Sequence, residues 1–203
     1  MTDEMDSKDL AERVRLIESM MAEGRQRTAR WGWSMVLWGV AYYVATAWAT
    51  WGKSNWAWPV TMTAAVIITA IGFSRISRGN PETVLSRAMS GLWTALGVSI
   101  SVLLFSLSFA GRYDGHVFVA IIGAMLGMAN LASAIIVKWK AQYFCAAVWL
   151  ASTVVACFGS DQAASIAFLA ATFIGLIAFG TYAMFLESQR RKQNGVVNAR
   201  VRA

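Results

Sequence analysis

"RWGWSMVLWGVAYYVATAWATWG", residues 30–52, carries five tryptophans and two tyrosines, and no charge after its first residue. A run of this length without a charge is too long for the core helix of a small soluble domain. It matches the roughly 20 apolar residues that cross a hydrocarbon layer of about 30 Å. Five further blocks resemble it in length and lack of charge, so that the set is 31–51, 57–74, 89–110, 116–137, 141–158 and 163–186. The whole chain is 57% hydrophobic and only 14% charged, against about 25% charged for a soluble domain. Several blocks are apolar on all sides, the mark of a buried or lipid-embedded helix. In lipid each segment must satisfy its own backbone, so the blocks are expected to be helices. The sequence therefore predicts an all-α membrane protein, a six-helix transmembrane bundle over residues 31–186. A cytoplasmic helix (1–30) precedes the bundle and a basic tail (187–203) follows it.

The net charge of +7 is unevenly placed. Arg25, Arg27 and Arg30 precede the first block, and Arg75, Arg78 and Arg87 lie between the second and third. Lys138 and Lys140 separate the fourth and fifth, and Arg190, Arg191, Lys192, Arg200 and Arg202 follow the sixth. The alternate side holds only Lys53 and Arg112. Basic residues flanking spans stay in the cytoplasm, so both termini are expected there, in an inner (plasma) membrane. The basic excess then needs only anionic lipid as its partner, and no nucleic acid is expected.

Tryptophan favours the headgroup level, where the ring is half apolar and its N–H stays wet. Trp31, Trp33, Trp93 and Trp139 fit a cytoplasmic belt, and Trp48, Trp51, Trp56 and Trp58 an outer one. Trp38, Tyr42, Tyr43 and Trp149 lie deeper than either belt. With Asn130, the one strongly polar side chain noted deep in a block, they form a candidate intramembrane cavity. The alternative for Asn130 is a hydrogen bond to a Ser or Thr of a neighbouring helix.

Before the first block, Leu10, Val14, Ile17, Met21 and Gly24 recur at 4-3-4-3 spacing, which places them on one helical stripe. Asp6 or Ser7 can cap that helix. The stripe is a candidate surface for a cytoplasmic protein partner or a second copy of the chain, unless it folds back on the bundle's own loops. In "GNPET", Asn80 and Pro81 suit the start of the third helix, and Asp161 suits a cap for the sixth. Ser90, Thr94, Gly97 and Ser101 make one small-residue side on the third helix. Gly123 with Gly127, and Ala171 with Gly175, are small residues four apart that let helices approach closely in lipid.

The central parts of all six blocks lack Asp, Glu, Lys, Arg and His, so no internal proton relay or charged ion path is expected. His116 with Asp114 supplies too few ligands for a zinc-type site. Cys145 and Cys157 lie about 18 Å apart on one helix and read as small core residues. No nucleophile-elbow or phosphate-loop pattern is present. Neither an enzyme nor a bound cofactor or metal is expected. Two functions remain: a non-catalytic membrane module (scaffold, sensor or regulatory partner) engaging a cytoplasmic protein, or a small permease or permease subunit for a neutral or aromatic compound.

The stretch "RLIESMMAEGRQRTARWGWSMVLWGVAYY" resembles a group of bacterial membrane proteins that join a short L-I-E-x-M cytoplasmic helix to a first span containing L-W-G. The matching residues are Leu16, Ile17, Glu18 and Met20, then Leu37, Trp38 and Gly39. The resemblance implies six spans and a bacterial inner membrane, and no particular activity.

Overall fold

The computed structural model describes residues 10, 12–16, 18–22, 24, 29–54, 56–76, 84–110 and 114–202. Side chains are described for all of these except 76, 86, 104, 108, 191 and 193–202. Among the described residues every regular element is a helix. They are α1 (Gly32–Gly52), α2 (Ala57–Ile76), α3 (Val84–Phe109), α4 (Gly115–Val137), α5 (Lys140–Phe158), α6 (Asp161–Thr172) and α7 (Phe179–Arg202). A π-helical turn, Phe173–Ala178, joins α6 to α7 without a break.

Five stretches are long and apolar enough to cross a membrane: Ala57–Arg75, Arg87–Leu107, Gly115–Val137, Lys140–Phe158 and Asp161–Arg190. This is a multi-pass membrane protein. The opening stretch forms α1, 21 residues long, yet it is not among the five. Its length suffices; its four tryptophans and two tyrosines carry N–H and O–H groups that make it less apolar than its neighbours.

With α6 and α7 taken as one continuous helix, contacts such as Trp31 with Phe73 and Tyr42 with Trp58, or Gly32 with Gly180, show that α1 runs antiparallel to both α2 and the last helix. Arg30, Arg75, Arg87, Lys138, Lys140 and Arg190 mark one end of the bundle, called here the basic end. Lys53, Asp114 and Asp161 mark the other, the acidic end. The closest pair is α4 with α5, joined through Lys138 and Trp139. Lys138 takes a left-handed conformation (φ 49°) and its N–H bonds the Ala134 carbonyl, which ends α4 abruptly and reverses the chain.

The glycines expected to permit this pairing lie at the contact. A Cβ on Gly123 would sit 2.6 Å from Thr153 Oγ1, and one on Gly127 2.7 Å from Leu150 Cδ2. Ala171 is buried, and a Cβ on Gly175 would strike the Trp149 indole. Gly97, by contrast, faces open space. The last span changes neighbours along its length: α6 packs on α5 and α4, whereas α7 and the π turn pack on α1.

Helices α2 and α3 are peripheral, α2 leaning on α1 and α3 on α4. Much of their surface (Val66, Ile67 and Ile71; Val98, Val102 and Phe105) is exposed, as suits helices facing lipid.

The described residues between 10 and 24 are helical. Leu10 is 66% and Val14 49% exposed, while Met21 is half-buried and Gly24 buried. A Cβ on Gly24 would meet Leu85 Cδ2 at 2.8 Å and Val137 Cγ1 at 3.7 Å. The stripe thus docks at its C-terminal end and is open at its start. Ile17, the Asp6/Ser7 cap, the Asn80–Pro81 helix start and Arg112 lie outside the described residues.

Three finer expectations change. Ser160 caps α6, accepting from Ala163 N–H at 3.3 Å, and Asp161 occupies the first turn instead. Cys145 is buried, but Cys157 is exposed and belongs to no core. Trp58 leaves the belt formed by the exposed Trp48, Trp51 and Trp56 and packs inward against Tyr42 and Phe118. A large ring gains more from aromatic neighbours and burial than from one wet N–H.

Candidate functional site

The first turns of α4 and α6 meet at the acidic end. Asp114 is the N-cap of α4, its Oδ1 accepting from the N–H groups of His116 (2.8 Å) and Val117 (3.1 Å). This satisfies two of the amide donors that a helix start leaves unpaired. It also aims the His116 ring across to α5, where His116 Nδ1 lies 2.8 Å from the Ala156 carbonyl. That carbonyl belongs to the last turn of α5, whose acceptors have no intrahelical partner. His116 Nε2 bonds Asp161 Oδ1 on α6. Both ring nitrogens therefore face acceptors, an arrangement satisfied in full only by imidazolium. One side chain ties three helix ends together.

The sequence paired His116 with Asp114; the structure pairs it with Asp161, because the Asp114 carboxylate is turned onto its own helix. Among the described residues, no three such groups converge as a metal-ligand set.

Beside this tie is a pocket of about 470 Å³, within the usual range of small-molecule sites. Thr46, Trp58, Asp114, His116, Asp161, Ser165 and Phe168 are among its lining residues. Beneath it four rings close a cycle of edge-to-face contacts. Tyr42 lies 5.9 Å from Trp58, Trp58 5.6 Å from Phe118, Phe118 5.8 Å from Phe168, and Phe168 5.6 Å from Tyr42. Such pairs contribute about 0.5–1.5 kcal/mol each beyond area burial, so this floor is a stiff one.

The residues singled out as an intramembrane cavity are partly brought together. Trp38 lies 6.5 Å from Tyr42, and Tyr42 reaches Trp149 through Phe168, which is 6.2 Å from the indole. Tyr43 donates its O–H to the Leu169 carbonyl at 2.8 Å, fastening α1 to α6. Asn130 is 1% exposed, and its Nδ2 donates to Leu126 O one turn back on its own helix. It makes no bond to a neighbouring Ser or Thr, since the local carbonyl is nearer. None of the five lines the pocket at the acidic end.

Between the aromatic floor and the basic end are buried polar atoms without hydrogen-bond partners among the described residues. They are Asn130 Oδ1, Ser133 Oγ, Trp149 Nε1, Thr172 Oγ1 and both amide atoms of Gln142. At about 1.5 Å per residue, Asn130 and Trp149 lie about 10 and 14 Å from the basic ends of α4 and α5. Thr172 lies about 17 Å from the acidic end of α6, which sets all three near mid-depth.

Sequence reading found Asn130 and Trp149 among these groups and missed Gln142, which stands close to Lys140 near the basic end and is nonetheless buried. It also missed the pocket. The available signal was that the one histidine and two carboxylates begin helices at the same end. No protein-family model, curated protein or solved structure matches this chain.

Proposed function

We propose that the protein is a six-span module of the inner membrane with both termini cytoplasmic, in which α1 is the sixth span. It works without catalysis, taking up a small ligand in the outward-facing pocket and engaging a cytoplasmic protein through its N-terminal helix. The aromatic residues that lower the apolarity of α1 suit the two headgroup levels, and the thirteen-to-two basic asymmetry supports the orientation.

The observation that carries this reading is the state of the N-terminal stripe. It is anchored at Gly24 and open at Leu10 and Val14. A helix folded back for packing alone would bury its whole apolar face. The double variant Leu10→Asp/Val14→Asp should abolish co-purification of a partner from native membranes and leave the bundle's melting temperature unchanged. A lowered melting temperature with no lost partner would overturn the reading and return the stripe to the fold.

The permease alternative draws support from one feature, the mid-depth polar layer of Asn130, Trp149 and Thr172. Uptake of a neutral aromatic compound by proteoliposomes, absent from protein-free vesicles, would favour it.

A further inference from the structure

We propose that the pocket at the acidic end binds an aromatic amine, with the ring on the aromatic floor and the protonated amino group between Asp114 and Asp161. The inference deepens the ligand-binding reading above and rests on it for the direction the pocket faces.

Hydrogen-bond accounting around the pocket supports it. Thr46 has given its hydroxyl hydrogen to the Tyr42 carbonyl at 2.8 Å, leaving lone pairs. Asp114 uses Oδ1 for its two helix amides, and Asp161 uses Oδ1 for His116. The second oxygen of each carboxylate is uncommitted among the described residues, and the Asp161 side chain is 94% exposed. The ring that could donate, His116, has both nitrogens spent on Ala156 O and Asp161. Among the described residues, no lysine or arginine lines the pocket. Apart from the Ser165 hydroxyl, the Trp58 indole N–H and the Gly115 amide, what the described lining leaves to a ligand is a set of acceptors, two of them charged. Their complement is a donor, and a cationic donor makes the stronger bond.

The apolar part of the ligand follows from the walls. Trp58 and Phe168 are aromatic and Val119 and Leu169 aliphatic. Phe118 and Phe168 are buried, while half-buried Trp58 keeps ring surface open at the lining. Indole faces attract cations as well as rings, so Trp58 serves either end of the ligand. The two helix starts, at about half a positive charge each, and the His116 imidazolium together balance Asp114 and Asp161 in net charge, so the preference for a cation rests on direct contact with their uncommitted oxygens. A carboxylate ligand would meet two like charges and, among the described lining residues, no free basic side chain.

Three probes sharing one phenylethyl body separate the possibilities: 2-phenylethylamine, 2-phenylethanol and 3-phenylpropanoate. Equilibrium dialysis against the full chain in detergent at neutral pH should show saturable binding, with the amine ahead of the acid by about tenfold or more. Asp161→Asn should weaken amine binding by about fivefold, the size of an exposed charge pair, and leave the alcohol unchanged. Asparagine keeps an oxygen that can accept from His116 Nε2, so this variant should stay folded, with a melting midpoint at most slightly below the parent's. Trp58→Leu should weaken the amine and the alcohol alike. Equal binding of the three probes, preference for the acid, or an amine affinity indifferent to Asp161→Asn would overturn the amine and leave a ligand pocket standing. No saturable binding of any probe would overturn both. The co-purification test on Leu10 and Val14 reports on the cytoplasmic partner independently of either result.

Discussion

At Gly32 and Gly180 the backbones of α1 and α7 touch. A Cβ on Gly32 would lie 2.5 Å from the Gly180 carbonyl oxygen, and a Cβ on Gly180 2.6 Å from that of Gly32. Neither obstacle is a side chain that can swing aside, so Gly180→Ala must part the helices. Overpacking of this kind costs about 1–3 kcal/mol, and thermal unfolding in detergent should show a lower midpoint. Gly97→Ala is the control. Nothing lies within 4 Å of its Cβ position, and a mid-helix glycine is about 1 kcal/mol worse than alanine, so this variant should melt no lower than the parent. The sequence exposes only part of this pattern. Gly123 and Gly127 are readable because their spacing lies within one helix. Gly32 and Gly180 are 148 positions apart by their numbers, and no local period joins them. The same limit hid the tie from His116 to Asp161 and the ring cycle of Tyr42, Trp58, Phe118 and Phe168. Each is a meeting of different helices, and hydropathy sets only how deep a helix sits.

The α4–α5 hairpin shows what one turn residue does for an element. Lys138 ends α4 at φ 49°, and Lys53 ends α1 at φ 46°. This left-handed region crowds Cβ against the following carbonyl and costs a residue other than glycine roughly 1–2 kcal/mol. Lys138→Gly should therefore raise the melting temperature, by an amount reduced by glycine's greater freedom in the unfolded chain. Lys138→Val, branched at Cβ, should lower it. Lysine at this turn trades backbone comfort for a positive charge at the basic end, and Trp139 beside it packs 5.1 Å from Phe179. Helix existence at this scale was legible: each of the six blocks coincides with helix, with only Trp31 and Ala110 falling one residue outside. Their ends were less so, as Ser160 in place of Asp161 illustrates, because either side chain can accept the same amide hydrogens.

Across the whole molecule, alternating basic and acidic ends give the orientation its test. In a background without Cys145 and Cys157, single cysteines at Ser54 and Asp161 should react with an impermeant thiol reagent on intact cells. Cysteines at Gly79 and Gln193 should react only after lysis. Labelling in the reverse order would overturn the proposed topology. An Arg30 guanidinium nitrogen lies 3.7 Å from Glu187 Oε1, joining the start of α1 to α7 at the basic end, so that these two helices are fastened together. Membrane class was legible because lipid demands length and apolarity, both properties of a single segment. The arrangement of helices was not, because small residues mark where contact is allowed without naming the partner.

The π turn at Phe173–Ala178 sets the angular phase of the last span. Each residue of an α-helix advances the azimuth by about 100°, so an uninterrupted helix would carry one fixed stripe from Asp161 to Arg202. Here α6 must face α5 and α4, and α7 must face α1; the wider turn resets the angle between them. Deleting one residue from the turn would leave the length, composition and hydropathy of the span almost unaltered. By closing the span to plain α-helix it would keep Gly180 on Gly32 and Glu187 on Arg30, whereas drawing the turn into α geometry with every residue retained would rotate both away; the register of the last two contacts is stored in one extra residue.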